Sequence, residues 1–182
     1  MLKKILIGVI ILVVILAAAF MYLSYRNRSL SPPGSASLTN NGLTVAVDYS
    51  RPSVRDRLIF GTKDEKALQP YGEYWRLGAN EATEISFNKD VLFNNQDLAK
   101  GTYRLYAIPG VDTFEIGVNS ELGKWGYSDP DYAKDILKTS VPVEKLSAPV
   151  EQFTITLQKS ADGIDVVFDW ADTRLVLPVK EK

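Results

Sequence analysis

Gln152-Phe153-Thr154-Ile155-Thr156-Leu157-Gln158 and, past Asp162-Gly163, Ile164-Asp165-Val166-Val167-Phe168-Asp169-Trp170 are apolar at every second position. A period of two puts successive side chains on opposite faces of an extended strand, one dry and one wet. Asp162-Gly163 tolerates positive φ and suits the turn between two such strands. The same alternation recurs along the chain. Leu43, Val45, Val47 and Tyr49 form one stripe, and Phe114, Ile116 and Val118 another. Tyr103, Leu105 and Ala107 alternate with Thr102, Arg104 and Tyr106, and Leu137, Thr139, Val141 and Val143 make Ile136–Val143 a strand. Leu175 and Leu177 close the series. Turn residues separate the stripes at Asn40-Asn41-Gly42, Asn94-Asn95, Lys100-Gly101 and Pro109-Gly110. Only Pro130–Ala133 reads as a short helix. The pattern predicts an all-β domain over residues 35–180, an antiparallel β-sandwich with a jelly-roll-like arrangement.

A different pattern precedes it. Ile5 to Leu23 is an unbroken apolar run of 19 residues. As a helix it spans about 28 Å at about 1.5 Å per residue, close to the hydrocarbon thickness of a bilayer. Residues 1–4 form a basic flank with Lys3 and Lys4, and Tyr22 and Tyr25 stand where an interfacial aromatic belt lies. Cleavage after Ala17-Ala18-Ala19 would leave Phe20-Met21-Tyr22-Leu23 apolar at the new terminus, so residues 5–23 are read as an uncleaved signal anchor. Residues 24–34, ending Ser31-Pro32-Pro33-Gly34, read as a linker. The expectation is a single-pass membrane protein, cytoplasmic at its N-terminus, with an extracytoplasmic C-terminal domain in the bacterial periplasm or on the cell surface.

Composition narrows the chemistry. The 182 residues include no His and no Cys. Imidazole relays, thiol nucleophiles, disulfides and His/Cys zinc sites are therefore excluded. Residues 1–34 hold four basic groups and no acid, which leaves 17 basic and 22 acidic side chains beyond them. A domain of net charge −5 has no global basic field, so nucleic acid is not an expected partner. No motif calls for a cofactor or a metal. Asp129, Asp131 and Asp135 cluster without the spacing of a calcium loop.

The stretch from Asp48 to Thr83 departs from simple alternation. It contains Tyr49-Ser50-Arg51-Pro52, then Arg55-Asp56-Arg57, then Tyr74-Trp75-Arg76-Leu77-Gly78-Ala79-Asn80-Glu81-Ala82-Thr83. With Lys100-Gly101-Thr102-Tyr103 and Ile108-Pro109-Gly110, these runs resemble a bacterial family catalogued as domain of unknown function 2911. The resemblance runs from about Ser31 to Val179, and its most specific part is the Trp-Arg-x-Gly-Ala-Asn-Glu-Ala-Thr run. It implies a mainly β fold in a secreted, lipid-anchored or membrane-tethered protein, and no activity. With no Cys to carry a lipid, the tether here must be the helix.

Eight residues are candidates for binding: Arg51, Arg55, Arg57, Tyr74, Trp75, Arg76, Asn80 and Glu81. Several guanidinium groups on one loop can hold carboxylate, sulfate or phosphate bidentately. Alternatively they pair with Asp48, Asp56, Glu73 and Glu81 and merely fasten the loop. Tyr71, Tyr74, Trp75, Trp125 and Tyr127 can offer a platform to a sugar or peptide, or pack inside. Trp170 lies in a strand stripe and reads as core. Asn80-Glu81 is similar to the acid/base position of some retaining glycosidases, but those are (β/α)₈ barrels, which an all-β chain of this length cannot form. The leading expectation is a non-enzymatic ligand-binding or interaction module with no catalytic residue. The alternatives are a carboxylate-dependent envelope hydrolase of glycosides or esters, using two of Asp56, Glu73, Glu81 and Glu84, and a structural scaffold module.

Overall fold

The protein is described by a computed structural model covering residues 2–182. Helix α1 runs Leu2–Leu30. The strands follow as β1 Pro33–Asn40, β2 Leu43–Ser50, β3 Phe60–Gly61, β4 Gln69–Pro70, β5 Thr83–Phe87 and β6 Val91–Phe93. After them come β7 Gln96–Leu98, β8 Gly101–Ile108, β9 Thr113–Asn119, β10 Asp135–Pro142, β11 Glu144–Lys159 and β12 Gly163–Glu181. A 3₁₀ turn, Tyr132–Lys134, occupies part of the stretch read as a short helix, with the Asp131 carboxylate accepting from the Ala133 N–H at its start. That interaction satisfies one of the donors a helix start leaves open.

Two antiparallel sheets share one core. The larger has the order β1-β2-β5-β8-β9-β10 and the smaller β11-β12-β6-β7, while β3 and β4 form a parallel pair. Inward residues from both sheets, Val45, Ile85, Leu105 and Ile116 from one and Phe153, Ile155, Val166 and Phe168 from the other, belong to one cluster. The register follows the alternation: Ile155 pairs with Phe168 and Leu157 with Val166. At the crowded end Trp75 stacks on Trp170 with centroids 5.5 Å apart, and Phe60 and Phe153 meet both rings. Such aromatic contacts each add about 0.5–1.5 kcal/mol beyond burial.

Two expectations need correction. The linker read over 24–34 is mostly helix: α1 continues through Ser24–Leu30, and the Ser31 N–H still bonds the Asn27 carbonyl at 3.0 Å. Nothing between Ser24 and Leu30 breaks a helix, whereas Pro32 and Pro33 have no N–H to continue one. The second concerns β8, read as half wet. Arg104 is 2 % exposed and Tyr106 is fully buried. Tyr74 and the connection between β9 and β10 cover the outer face of the sheet there: Arg104 Nη2 bonds the Tyr74 hydroxyl and the Ser128 carbonyl, and the Tyr106 ring meets Tyr74 and Tyr132. Arg104 and Tyr106, on the outer face of β8, are therefore interior residues of the domain, while Thr102 on the same face stays exposed.

One helix in the described residues is long and apolar enough to cross a membrane, and none of its apolar window is buried against the domain. An N-terminal signal sequence meets the same description.

Candidate functional site

The run Trp75–Thr83 forms a rigid loop across one end of the sandwich. Trp75 and Ala107 exchange backbone hydrogen bonds, both at 2.8 Å, which fixes where the loop begins. Leu77 and Asn80 have φ of 51° and 56°, and Gly78 has φ of 151°. The Thr83 hydroxyl donates to the Leu77 carbonyl, and Gly126 N–H donates to the Asn80 carbonyl at 2.9 Å. A Cβ at Gly78 would stand 2.8 Å from the Ser50 carbonyl oxygen, so only glycine lets the loop lie this close to β2.

The loop divides two clefts of opposite character. One, about 370 Å³, takes Arg55, Arg57 and Arg76 as its charged lining and contains no carboxylate. Trp125 and Tyr127, 49 % and 77 % exposed, stand beside the arginines, and Arg76 lies over the Tyr127 ring. Trp170 also lines it, and its buried indole N–H has no partner among the described residues. The other cleft, about 410 Å³, has Asp48, Glu81 and Glu84 among its walls, with Arg28 and Lys124.

The three cleft arginines form no ion pair with Asp, Glu or a terminus among the described residues. They bond carbonyls instead: Arg55 Nη2 to Leu30 at 2.8 Å, Arg57 Nη2 to Ser53 at 2.6 Å and Nε to Val54 at 3.0 Å, and Arg76 Nη1 to Asn80 at 3.2 Å. The alternative of internal pairing with Asp48, Asp56, Glu73 and Glu81 therefore fails. Glu81 pairs with Arg28 at 2.6 Å and Glu73 with Lys63 at 2.8 Å. Burial depresses the pKa of the Arg76 guanidinium, Tyr74 and Tyr127 oppose that shift, and nearby Arg104 adds to it. A half-buried cation without a counter-charge is a costly arrangement that an anion relieves. Arg55 and Asp56 have φ of 50° and 57°, and Arg57 N–H closes on the Val54 carbonyl at 3.2 Å, so a left-handed turn presents the two arginines. Residues in this region cost about 1–2 kcal/mol each, which persists only where the surroundings over-determine it.

The other candidates lie elsewhere. Trp75, 3 % exposed, is core and offers no platform. Arg51 packs against Gly34 and donates to Thr154 Oγ1 at 3.3 Å, tying β2 to β11. The Tyr74 hydroxyl donates to the Gly126 carbonyl at 3.1 Å and accepts from Arg104, and burial raises its pKa. Asn80 and Glu81 hold the end of α1: Asn80 Nδ2 donates to the Ser31 carbonyl at 3.1 Å, and Arg28 Nη2 donates to Glu81.

Sequence reasoning missed the polar cluster around Arg104. Tyr106 donates to Asp135 Oδ2 at 2.6 Å, and Asn119 donates to Asp135 Oδ1 at 2.7 Å. Alternation alone placed Arg104 and Tyr106 in water; no local signal announces the segment that covers them. The clustered acids Asp129, Asp131 and Asp135 are spent on Tyr132, the 3₁₀ turn, and Tyr106 with Asn119. Among the described residues no group of three or more Asp or Glu side chains is placed to hold a metal ion.

A family described as protein of unknown function (DUF2911) matches residues 31–179. The chain belongs to that family. No curated protein and no solved structure matches it. The part shared with DUF2911 begins at Ser31, whose carbonyl Asn80 holds, and so takes in both sheets, the loop and all three cleft arginines. The wall that Asn27 and Leu30 add to the arginine cleft comes from α1, ahead of the DUF2911 match.

Proposed function

We propose that the protein is a membrane-tethered, non-enzymatic binding module whose Arg55–Arg57–Arg76 cleft takes an anionic group. The observation that carries this reading is the charge of the cleft: three guanidinium groups and no carboxylate in its lining, none of the three neutralised by an ion pair among the described residues. Guanidinium N–H groups left after the carbonyl bonds are donors in fixed, planar geometry, suited to phosphate or sulfate oxygens. Trp125 and Tyr127 add apolar surface for whatever the anion is attached to. Residues 5–23 anchor the module, and the orientation we propose puts the N-terminus in the cytoplasm and the domain outside, in the periplasm or at the cell surface.

The test is a thermal-shift titration of the full chain in detergent with inorganic phosphate and sulfate. A ligand that prefers the native state raises its stability in proportion to RT ln(1 + [L]/Kd). Wild-type protein is expected to gain stability with either anion, and Arg76→Gln to lose most of that gain. No shift in wild type with any anion ends the reading.

The three carboxylates of the second cleft, Asp48, Glu81 and Glu84, support a competing hydrolase reading. Asp48 and Glu84 are direct cross-strand partners, and Glu84 accepts the Gly123 N–H at 2.7 Å. Turnover of a glycoside or ester that disappears in Glu84→Gln would establish it in place of the binding module.

A further inference from the structure

We infer that the anion is the phosphate headgroup of an anionic lipid in the same bilayer that α1 crosses; this rests on the anion-binding reading of the Arg55–Arg57–Arg76 cleft. Helix α1 ends against the domain. Its terminal carbonyls have no partners within the helix and must find donors elsewhere. Here the domain supplies them: Arg55 Nη2 donates to the Leu30 carbonyl at 2.8 Å and Asn80 Nδ2 to the Ser31 carbonyl at 3.1 Å. The Arg28–Glu81 pair at 2.6 Å adds a third tie. The cleft is thereby pinned to the helix, and Asn27, Leu30 and Ser31 form part of its wall.

That attachment sets its height. The apolar run ends at Leu23, and Asn27–Ser31 follow four to eight residues later in continuous helix or just past its end. At about 1.5 Å per residue the wall stands roughly 6–12 Å beyond the hydrocarbon. The headgroup layer on each side of a bilayer is about 5–8 Å deep. The α1 wall of the cleft therefore stands at the level of lipid phosphates or just above it.

Surface chemistry agrees independently. Beyond residue 34 the chain has an excess of five acids, so its overall field disfavours an anionic surface. Positive charge is instead gathered in the cleft, in Arg55, Arg57 and Arg76, while the acids at this end, Asp48, Glu81 and Glu84, line the other cleft, where Glu81 pairs with Arg28. Leu68, 37 % exposed, also lines the cleft beside Trp125 and Tyr127. Exposed leucine, tryptophan and tyrosine side chains around a basic pocket suit the boundary between headgroups and acyl chains.

The test uses the full chain. Protein is reconstituted in nanodiscs of phosphatidylcholine mixed with phosphatidylglycerol and extracted into mild detergent, and retained lipid is counted by native mass spectrometry. Wild type is expected to keep phosphatidylglycerol in preference to phosphatidylcholine. Arg57→Gln, at an exposed side chain bonded only to its own turn, should lower that preference about fivefold, and Arg76→Gln by a similar factor. Lys159→Gln, outside the cleft, should leave it unchanged. A preference that survives both arginine substitutions overturns the inference, because the flanking Arg26 and Arg28 alone would then explain it. Equal retention of both lipids, with inorganic phosphate still stabilising wild type but not Arg76→Gln, overturns the lipid assignment and leaves the anion cleft standing. Failure of both lipid preference and phosphate stabilisation overturns both.

Discussion

Replacing Gly78 by alanine tests whether the loop geometry rests on a close approach or only on a backbone angle. Two costs add. An L residue held at φ of 151° carries strain of about 1–3 kcal/mol. The new methyl would also sit 2.8 Å from the Ser50 carbonyl oxygen and 3.3 Å from Thr83 Oγ1. Ser50 is buried and closes strand β2, where it pairs with Pro33, and Thr83 is buried and opens β5, where it pairs with Leu105. Neither partner can retreat without disturbing a sheet, so overpacking adds about 1–3 kcal/mol. The total is about 2–6 kcal/mol. Gly72 is the matched control: its φ is 80°, but a Cβ there meets nothing within 4 Å, and Gly72→Ala should cost only about 1–2 kcal/mol. For a domain of this size each kcal/mol moves the melting temperature by about 2–4 °C. Overpacking separates the two variants, so Gly78→Ala should melt roughly 2–12 °C below Gly72→Ala when both full-length proteins are followed by near-ultraviolet circular dichroism, to which the Trp75–Trp170 stack contributes. It should also weaken phosphate binding, because Arg76 and Asn80 ride on the same loop. Two variants melting together would show that the Ser50 contact constrains nothing.

The same geometry fixes other outcomes. A Cβ at Gly117 would overlap the Tyr106 ring, so Gly117→Ala must displace that ring and break its bond to Asp135, at a cost of about 3–5 kcal/mol in a denaturant titration; in a Tyr106→Ala background the substitution should cost no more than about 1 kcal/mol. Asn80→Ala removes the donor to the Ser31 carbonyl and leaves alanine at φ of 56°, so stability should fall by about 1–2 kcal/mol and limited proteolysis between Ser24 and Ser31 should accelerate. The Glu121 carboxyl is held below its ordinary pKa of 4.5 by the Asp131 N–H and then by Lys134. A pKa lowered in the folded state means stability that is intact above 4.5 and fades as the pH falls below it. Glu121→Gln should therefore lower stability near neutrality, where the carboxylate is ionised, flatten the acid side of the profile, and change little at low pH, where Glu121 is protonated in both states.

The elements were legible because they depend on near neighbours. Stripes such as Val45/Val47 and Ile155/Leu157 each bury one face whichever strand they pair with, so β2 and β11 could be read without knowing their partners. The strand read at Ile136–Val143 is β10, Asp135–Pro142. Of the candidate residues, Arg55, Arg57, Arg76 and Asn80 line the arginine cleft and Glu81 lines the other, on the opposite side of the loop. Trp75 was ambiguous because a tryptophan in a turn-rich run suits a platform and a core equally; only the stack on Trp170, almost a hundred residues away, decides it. Arg104 was misplaced because alternation reports which side of a strand a residue takes, not whether that side meets water.

From its amino acids alone this protein is a long apolar helix followed by antiparallel strands, without imidazole or thiol chemistry. Those conclusions need only hydrophobic periodicity, the length of one apolar run and an inventory of residue types. Tertiary structure decided that three arginines 2 to 21 residues apart converge without a carboxylate among them, and that Glu81 faces away from them. It decided too that the loop bearing Arg76 clasps the end of α1. The physical reason is that charge neutralisation and helix-end capping are settled by atoms brought together from distant parts of the chain. Each partner looks locally like any solvated polar residue until the sheets close.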